Sequence, residues 1–249
     1  MAEDDAGDRT PAEREAMKRR AGEHAASMVD DGMVVGLGTG STAAAAIREL
    51  GRRAAEGLDI RGIPTSYQSR ALAIESGVPL TSLDAVDAVD LAIDGADQVV
   101  FGGGQGERAG LFEDEHAVLV KGGGAAHARE KVLAATAGRF VVVVDETKLS
   151  DVLDHPLPIE VLPDARPVVA ARVAGLGGEP TLRESSGKDG PVVTDNGNLV
   201  IDADFGTIDE PGPLGRELSR TPGVLEHGLF VELTDEVLVG TADGVEEMG

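Results

Sequence analysis

Short apolar runs alternate with amphipathic stretches through the first part of the chain. Residues 33–37, 59–63, 89–98, 117–120 and 140–144 read as strands. The last, Phe140-Val-Val-Val-Val144, is apolar throughout, as a strand covered on both faces of a parallel sheet would be. Between them, apolar residues recur at helical spacing. The first helix opens at Thr10-Pro11-Ala12-Glu13, a capping box with proline at the first helical position. It carries Met17, Ala21, Ala25 and Met28 on one face. Further helices are expected over 43–50, over 67–76 closed by Gly77, and over 125–136 closed by Gly138. A short edge strand is expected over 78–81. This β/α alternation predicts an open, mostly parallel sheet of Rossmann-like α/β type with right-handed crossovers.

The pattern changes after His155-Pro156-Leu-Pro158. A strand over 158–162, a helix over 167–176 and a strand over 179–184 come first. Segments 191–194 and 199–203 then flank Asp195-Asn196-Gly197-Asn198, a hairpin with an Asn-Gly turn. A helix follows over 214–220. This order suggests a smaller, inserted α+β domain of ferredoxin-like type. The expected organisation is therefore a Rossmann-like catalytic domain over 1–154 and a ferredoxin-like domain over 155–227. Terminal strands over 229–233 and 236–240, within 228–249, are expected to return to the first domain.

In open parallel sheets, ligands sit at the carboxyl ends of the strands. Val118-Leu-Val-Lys121-Gly122-Gly123-Gly124-Ala125 reads as a strand, a triple-glycine turn and the start of a helix that carries Glu130 in its second turn. Glycines permit close backbone approach to a ligand, and a helix start favours an anion. One cation, one carboxylate and a set of backbone donors are equipment for acid–base chemistry on an anionic molecule. A second loop, Gly36-Leu-Gly38-Thr39-Gly40-Ser41-Thr42, joins a strand to a helix in the manner of a phosphate cradle. It lacks the lysine of a Walker loop and the later glycine of a dinucleotide fingerprint. Its hydroxyls suit a small phosphomonoester. Thr65-Ser66, Asp94, Asp97, Lys121 and Lys148 are all expected at the same end of the sheet. The glycine-rich stretch over 101–110 reads as a surface excursion with no strand entering it.

Charge and composition narrow the function. The 249 residues contain 45 acidic and 22 basic side chains, for a formal charge of -23, and only 2% are aromatic. That balance argues against a nucleic-acid partner, which needs basic patches and stacking platforms. It suits a halophilic cytoplasm. There is no cysteine, no apolar run of membrane-spanning length and no signal-like N-terminus, so a cytoplasmic protein without a membrane partner is expected. The five histidines are scattered, without metal-site spacing. Only five lysines occur: Lys18, Lys121, Lys131, Lys148 and Lys188. Two of them close apolar strands at turns, where decoration is the weaker explanation.

Taken in order, several motifs resemble the A-type ribose-5-phosphate isomerase family. They are Gly36-Leu-Gly-Thr-Gly-Ser-Thr42, Ile93-Asp-Gly-Ala-Asp97, Lys121-Gly-Gly-Gly-Ala-Ala126 with Arg129-Glu130-Lys131, Val144-Asp-Glu-Thr-Lys148, Pro156-Leu-Pro-Ile-Glu-Val161 and Val193-Thr-Asp-Asn-Gly-Asn198. The resemblance covers nearly the whole chain. It implies an aldose–ketose isomerase that interconverts D-ribose 5-phosphate and D-ribulose 5-phosphate in the non-oxidative pentose phosphate pathway, with neither cofactor nor metal. It implies Glu130 as catalytic base, Lys121 stabilising an oxyanion, and Asp94 and Asp97 assisting ring opening and proton movement between oxygens. Substrate contacts fall on Lys18, Thr39, Gly40, Ser41, Thr42, Asp94, Gly95, Ala96, Asp97, Lys121, Gly122, Gly123, Gly124 and Lys148. A homodimer or homotetramer is implied. The chain departs from the family pattern at Gln98, where glutamate is usual, and at His127-Ala128, where Leu-Thr is usual. His127 reads as a helix residue. A related sugar-phosphate deaminase or transferase, or a sugar-phosphate-sensing regulator, would share the first loop without needing Lys121 and Glu130 together.

Overall fold

The computed structural model describes residues 9–102, 117–187 and 189–249. The excursion after Phe101 therefore lies almost entirely outside the described residues, as does Lys188. In chain order the first elements are α1 (Pro11–Ser27), β1 (Val34–Leu37), α2 (Ser41–Ala55), β2 (Arg61–Pro64) and α3 (Tyr67–Ser76). Next come β3 (Leu91–Asp94), β4 (Gln98–Phe101), β5 (Ala117–Val120), α4 (His127–Thr136) and β6 (Phe140–Asp145). The series continues with β7 (Leu157–Val161), α5 (Arg166–Gly175), β8 (Glu179–Leu182), β9 (Leu199–Asp204) and α6 (Pro211–Ser219). It ends with β10 (Val224–His227), β11 (Leu229–Phe230), β12 (Glu236–Gly240) and β13 (Val245–Met248).

The chain divides into two compact units. The first comprises residues 1–96, 132–149 and 233–249. Its six-stranded sheet has the order β13-β12-β6-β3-β1-β2, parallel throughout except for β13 at one edge. This is the open, mostly parallel α/β sheet that the apolar runs predict. Its core is small and aliphatic: Val35, Leu37, Ile47, Leu50, Ile60, Ile93, Val141, Val143 and Leu238, with Ala21 and Ala25 of α1. Helix α1 keeps the predicted capping box, in which Thr10 and Glu13 satisfy each other's backbone donors. Segment 78–81 forms an isolated parallel bridge between Leu80 and Gly62, not a strand. Pro79 has no N–H to offer a ladder and contributes its carbonyl to Gly62 N–H at 2.8 Å.

The second unit comprises residues 97–131 and 150–232. Strands β7, β8, β9 and β10 form an antiparallel sheet in the order β10-β7-β9-β8. With α5 and α6 this gives the β-α-β-β-α-β succession of a ferredoxin-like unit. The final strand β10 was not expected from the sequence. The hairpin arm over 191–194 is reduced to bridges from Pro191 to Glu184 and from Val193 to Leu199. The Asn-Gly turn itself forms, with Gly197 in the left-handed region at φ +85°.

Three expectations fail. The run Ala117–Val120 does not join the parallel sheet. It lies in the middle of a three-stranded antiparallel sheet, β11-β5-β4. The stretch read as one strand over 89–98 is two: β3 ends at Asp94, and β4 begins at Gln98 and leads into the glycine-rich excursion. Likewise, Leu229–Phe230 pairs with β5 and does not return to the large sheet; only β12 and β13 do. A four-residue apolar run is equally buried in either kind of sheet, so its pattern does not choose its partners.

Candidate active site

The candidate residues fall into two groups, each built within one unit. In the first, the parallel strands deliver polar residues at their carboxyl ends, as expected for Thr39–Thr42, Thr65–Ser66, Asp94 and Lys148. Asp94 closes β3 and is 3% exposed. Its Oδ1 accepts the backbone N–H of Thr39 at 3.0 Å and of Gly95 at 2.8 Å. Gly38 makes this approach possible, because a Cβ there would stand 2.1 Å from Asp94 Oδ1. Thr39 Oγ1 lies 2.8 Å from Thr65 Oγ1 and 2.7 Å from Ser66 Oγ, so the two strand ends share a hydroxyl cluster. Helix α2 then starts behind Gly40, which has φ +110° and provides no side-chain cap. Its first N–H groups lack a capping side chain and suit an anion. Ser41 is exposed at the helix start and Thr42 is buried. Lys148 ends a short 3-10 turn after β6, a turn capped by Asp145 through Thr147 N–H at 3.0 Å. Lys18 lies half-buried on α1.

The second group centres on the triple-glycine turn. Lys121 follows β5 directly, and its backbone N–H donates to Gly228 O at 2.8 Å. Helix α4 begins at His127, two residues later than its pattern suggests, because Ala125 takes the left-handed conformation at φ 57°. Glu130 consequently sits in the first turn of α4, not the second. Lys121 Nζ is 3.1 Å from Glu130 Oε2, with the two side chains 3% and 4% exposed. Phe230 of β11, itself wholly buried, presents its ring to Lys121 Nζ at 5.4 Å and to Lys131 Nζ at 4.9 Å. Asp97 precedes β4; its N–H donates to Val120 O at 2.8 Å and its Oδ2 accepts Gly123 N–H at 2.7 Å. Gly123 and Gly124 are exposed, whereas Gly122 is buried. Asp97 and Lys121 thus belong to the antiparallel sheet of the second unit, contrary to the expectation that they end strands of the parallel sheet. Gly95 and Ala96 are the partly buried link at which the chain passes from one unit to the other.

The surroundings of α4 are unusually polar for a core. Lys131 Nζ donates to Glu226 Oε1 at 2.7 Å and to His227 O at 2.6 Å. Burial pushes the Lys131 ammonium below its ordinary value, with the Glu226 carboxylate opposing. Burial, reinforced by Lys131, pushes both His127 and His227 down to about 3, so both imidazoles are neutral near pH 7. On the other side of the helix start, Arg129 Nε donates to Asn196 Oδ1 at 2.9 Å. Asn196 Nδ2 in turn donates to the fully buried Glu160 at 3.0 Å, beside Thr194 Oγ1 at 2.7 Å and Asn198 Nδ2 at 2.9 Å. The Asn-Gly turn therefore has a second use, bracing the helix that carries Glu130. Gln98 occupies its variant position by accepting Asp154 N–H and His155 N–H at 3.0 Å and donating to Asp154 Oδ1 at 2.7 Å. A glutamate could accept but not donate there. Sequence reasoning missed Phe230 and Arg183, which contacts the glycine turn; neither lies in a local pattern that signals it.

The sequence model for ribose 5-phosphate isomerase A (phosphoriboisomerase A) matches residues 61–244. The chain belongs to the ribose-5-phosphate isomerase A family. It is 66% identical to the ribose-5-phosphate isomerase A of Natronomonas pharaonis over 232 residues, covering 93% of this chain and 96% of that one. The ribose 5-phosphate isomerase A structure from Methanocaldococcus jannaschii superimposes with a TM-score of 0.86 at 44% identity, covering 94% of this chain and 99% of that one. A D-ribose-5-phosphate isomerase in complex with phospho-erythronic acid gives a TM-score of 0.85 at 44% identity, with 93% and 97% coverage. As a member of this family the chain is an isomerase. Among the described residues, no helix is long and apolar enough to cross a membrane.

Proposed function

We propose that the chain interconverts D-ribose 5-phosphate and D-ribulose 5-phosphate through an enediolate, as a step of the non-oxidative pentose phosphate pathway, with Glu130 as the base. The observation that carries this reading is the Lys121–Glu130 pair, a carboxylate and an ammonium 3.1 Å apart and nearly removed from solvent. The reaction moves one proton between adjacent carbons and calls for a carboxylate within reach of the carbon acid. It also calls for fixed positive charge where the oxyanion develops, the role assigned to Lys121. A sheltered ion pair supports both roles, because charges act strongly where water is excluded.

Asp94 and Asp97 are assigned to ring opening and to proton movement between the oxygens. Each already accepts a backbone N–H, which fixes its carboxylate and leaves lone pairs for a sugar hydroxyl. The open start of α2, with Thr39, Gly40, Ser41 and Thr42, is assigned to the phosphate together with Lys148 and Lys18. Gly95, Ala96, Gly122, Gly123 and Gly124 are assigned to backbone contacts with the sugar. Phosphate binding then supplies energy that holds the reacting carbons in register. A phospho-erythronic acid complex within the family supports a sugar phosphate as ligand. The substrate is an anionic small molecule, and a homo-oligomer is part of the proposal by family resemblance.

The test is conversion of ribose 5-phosphate by the purified protein in high salt with chelator present, beside Glu130→Gln. Turnover by the parent and none by a folded variant is the expected result. Equal turnover in both would remove Glu130 as base. A folded parent that binds sugar phosphates without converting them would replace the isomerase with a sensor.

A further inference from the structure

We infer that Arg183 is a positioning residue for Asp97, holding and polarising the Gly122–Gly123 peptide group, which binds the Asp97 carboxylate. The inference rests on the role given to Asp97 above.

Arg183 continues β8 for one residue, its N–H donating to Val200 O at 2.9 Å. In the register of β8 with β9, Thr181 lies opposite Asp202. Arg183 and Asp202 are therefore diagonal neighbours, within reach of long side chains. The guanidinium meets that carboxylate with two nitrogens: Nε donates to Oδ2 at 2.8 Å and Nη2 donates to Oδ1. This fork fixes the plane of the group and leaves Nη1 directed elsewhere. Nη1 donates to Gly122 O at 2.9 Å and Gly123 O at 3.1 Å, sixty-odd positions back in the chain.

The Gly122 carbonyl and the Gly123 N–H are the two ends of one peptide group. The cation sits on its oxygen, and its N–H donates to Asp97 Oδ2 at 2.7 Å. Hydrogen bonds in such a chain strengthen one another, so a cation on the carbonyl makes the N–H a better donor. The sequence of contacts is Asp202, Arg183, the Gly122–Gly123 peptide, Asp97. The turn needs such a clamp. Three consecutive glycines have the most conformational freedom to lose, and Gly122 sits at φ +106°. Gly123 is also placed too tightly for any other residue, since a Cβ would come within 2.6 Å of Asp97 Oδ1.

An Arg–Asp pair that only tied β8 to β9 would have no use for the two glycine carbonyls. The side chains are 17% and 28% exposed, so solvent screens the ion pair only in part. Its geometry matters more, because it orients the third nitrogen. Lysine carries the charge but not the fork, so it cannot grip Asp202 with two nitrogens while a third meets the carbonyls.

The experiment uses the full-length protein with Arg183→Met and, as the conservative variant, Arg183→Lys. Two readouts are taken: the amide proton resonance of Gly123 in labelled protein, and kcat and KM for ribose 5-phosphate. Arg183→Met is expected to move the Gly123 amide proton upfield and to lower kcat by about 10- to 100-fold with KM little changed. Arg183→Lys is expected to recover part of both. A Gly123 resonance unmoved in folded Arg183→Met, or kcat equal to the parent, would overturn the inference. If Arg183→Met does not fold, Arg183→Lys decides: a Gly123 resonance and kcat both identical to the parent would overturn it. A parent without turnover would defeat the isomerase reading instead, and the resonance would still decide whether Arg183 polarises this peptide.

Discussion

The ammonium nitrogen of Lys121 and a carboxylate oxygen of Glu130 lie 3.1 Å apart, although the residues come from different elements, the end of a strand and the first turn of a helix. Removing one charge from a buried pair costs about 3–5 kcal/mol, whereas replacing both together is far milder. Glu130→Gln is expected to lower turnover by at least about 10²–10⁴-fold. It should also lower thermal stability, and adding Lys121→Met should recover much of that loss. Melting curves for the two single variants and the double variant check the coupling. Additive losses would show that the pair does not act as a unit.

The contact between the first glycine loop and Asp94 is equally exacting. A methyl group on residue 38 would overlap the Asp94 carboxylate and approach its Cα to 2.6 Å. Gly38→Ala should therefore displace Asp94 from the Thr39 and Gly95 amides. We expect a loss of about 100-fold in kcat/KM in a protein that still folds. Steady-state kinetics beside circular dichroism measure it; unaltered kinetics would mean that Asp94 is not held by this loop.

Lys148 is assigned to binding rather than to the proton transfer. Replacing it with alanine should raise KM by about tenfold, the equivalent of one exposed charge-assisted contact, and change kcat less. The effect should shrink as salt rises. A fall in kcat at unchanged KM would move Lys148 into the chemistry.

His127 predicts a pH effect whose sign follows from burial. Its imidazole, pushed from an ordinary 6.5 down to about 3, is neutral in the folded chain over a range where the unfolded chain takes up a proton. Stability is therefore full above about pH 6.5 and falls as the pH drops toward 3, by up to about 1.4 kcal/mol per pH unit for one such histidine. His227 adds a slope of the same sign. Among the described residues the buried His127 Nδ1 atom has no hydrogen-bond partner, so leucine should be tolerated. His127→Leu is expected to keep turnover, to match or exceed the parent's melting temperature near pH 7.5, and to lose less on acidification. Melts from about pH 7.5 to about pH 4.5 at constant salt test this.

Much of the fold was legible because it is written locally. The capping box at Thr10 and Glu13, the glycine that closes α3 and the apolar Phe140–Asp145 strand each depend on neighbours within a few positions. The same holds for the hydroxyl-bearing loop before α2. These segments state their own conformation through period, caps and turn residues.

What the sequence by itself determined was the open, mostly parallel character of the first sheet, the ferredoxin-like insertion and the identity of the polar residues at the turns. The tertiary structure alone decided which sheet β5 joins, that β4 and β11 flank it, and that α4 starts late enough to put Glu130 in its first turn. It alone brought Phe230 to the two lysines and Arg183 to the glycine turn. The physical reason is the range of the interaction. A helix cap is satisfied within one turn of chain, whereas strand partners and carbonyl clamps are chosen by burial and hydrogen-bond completion between residues as distant as Val120 and Leu229, and that choice leaves no periodicity behind.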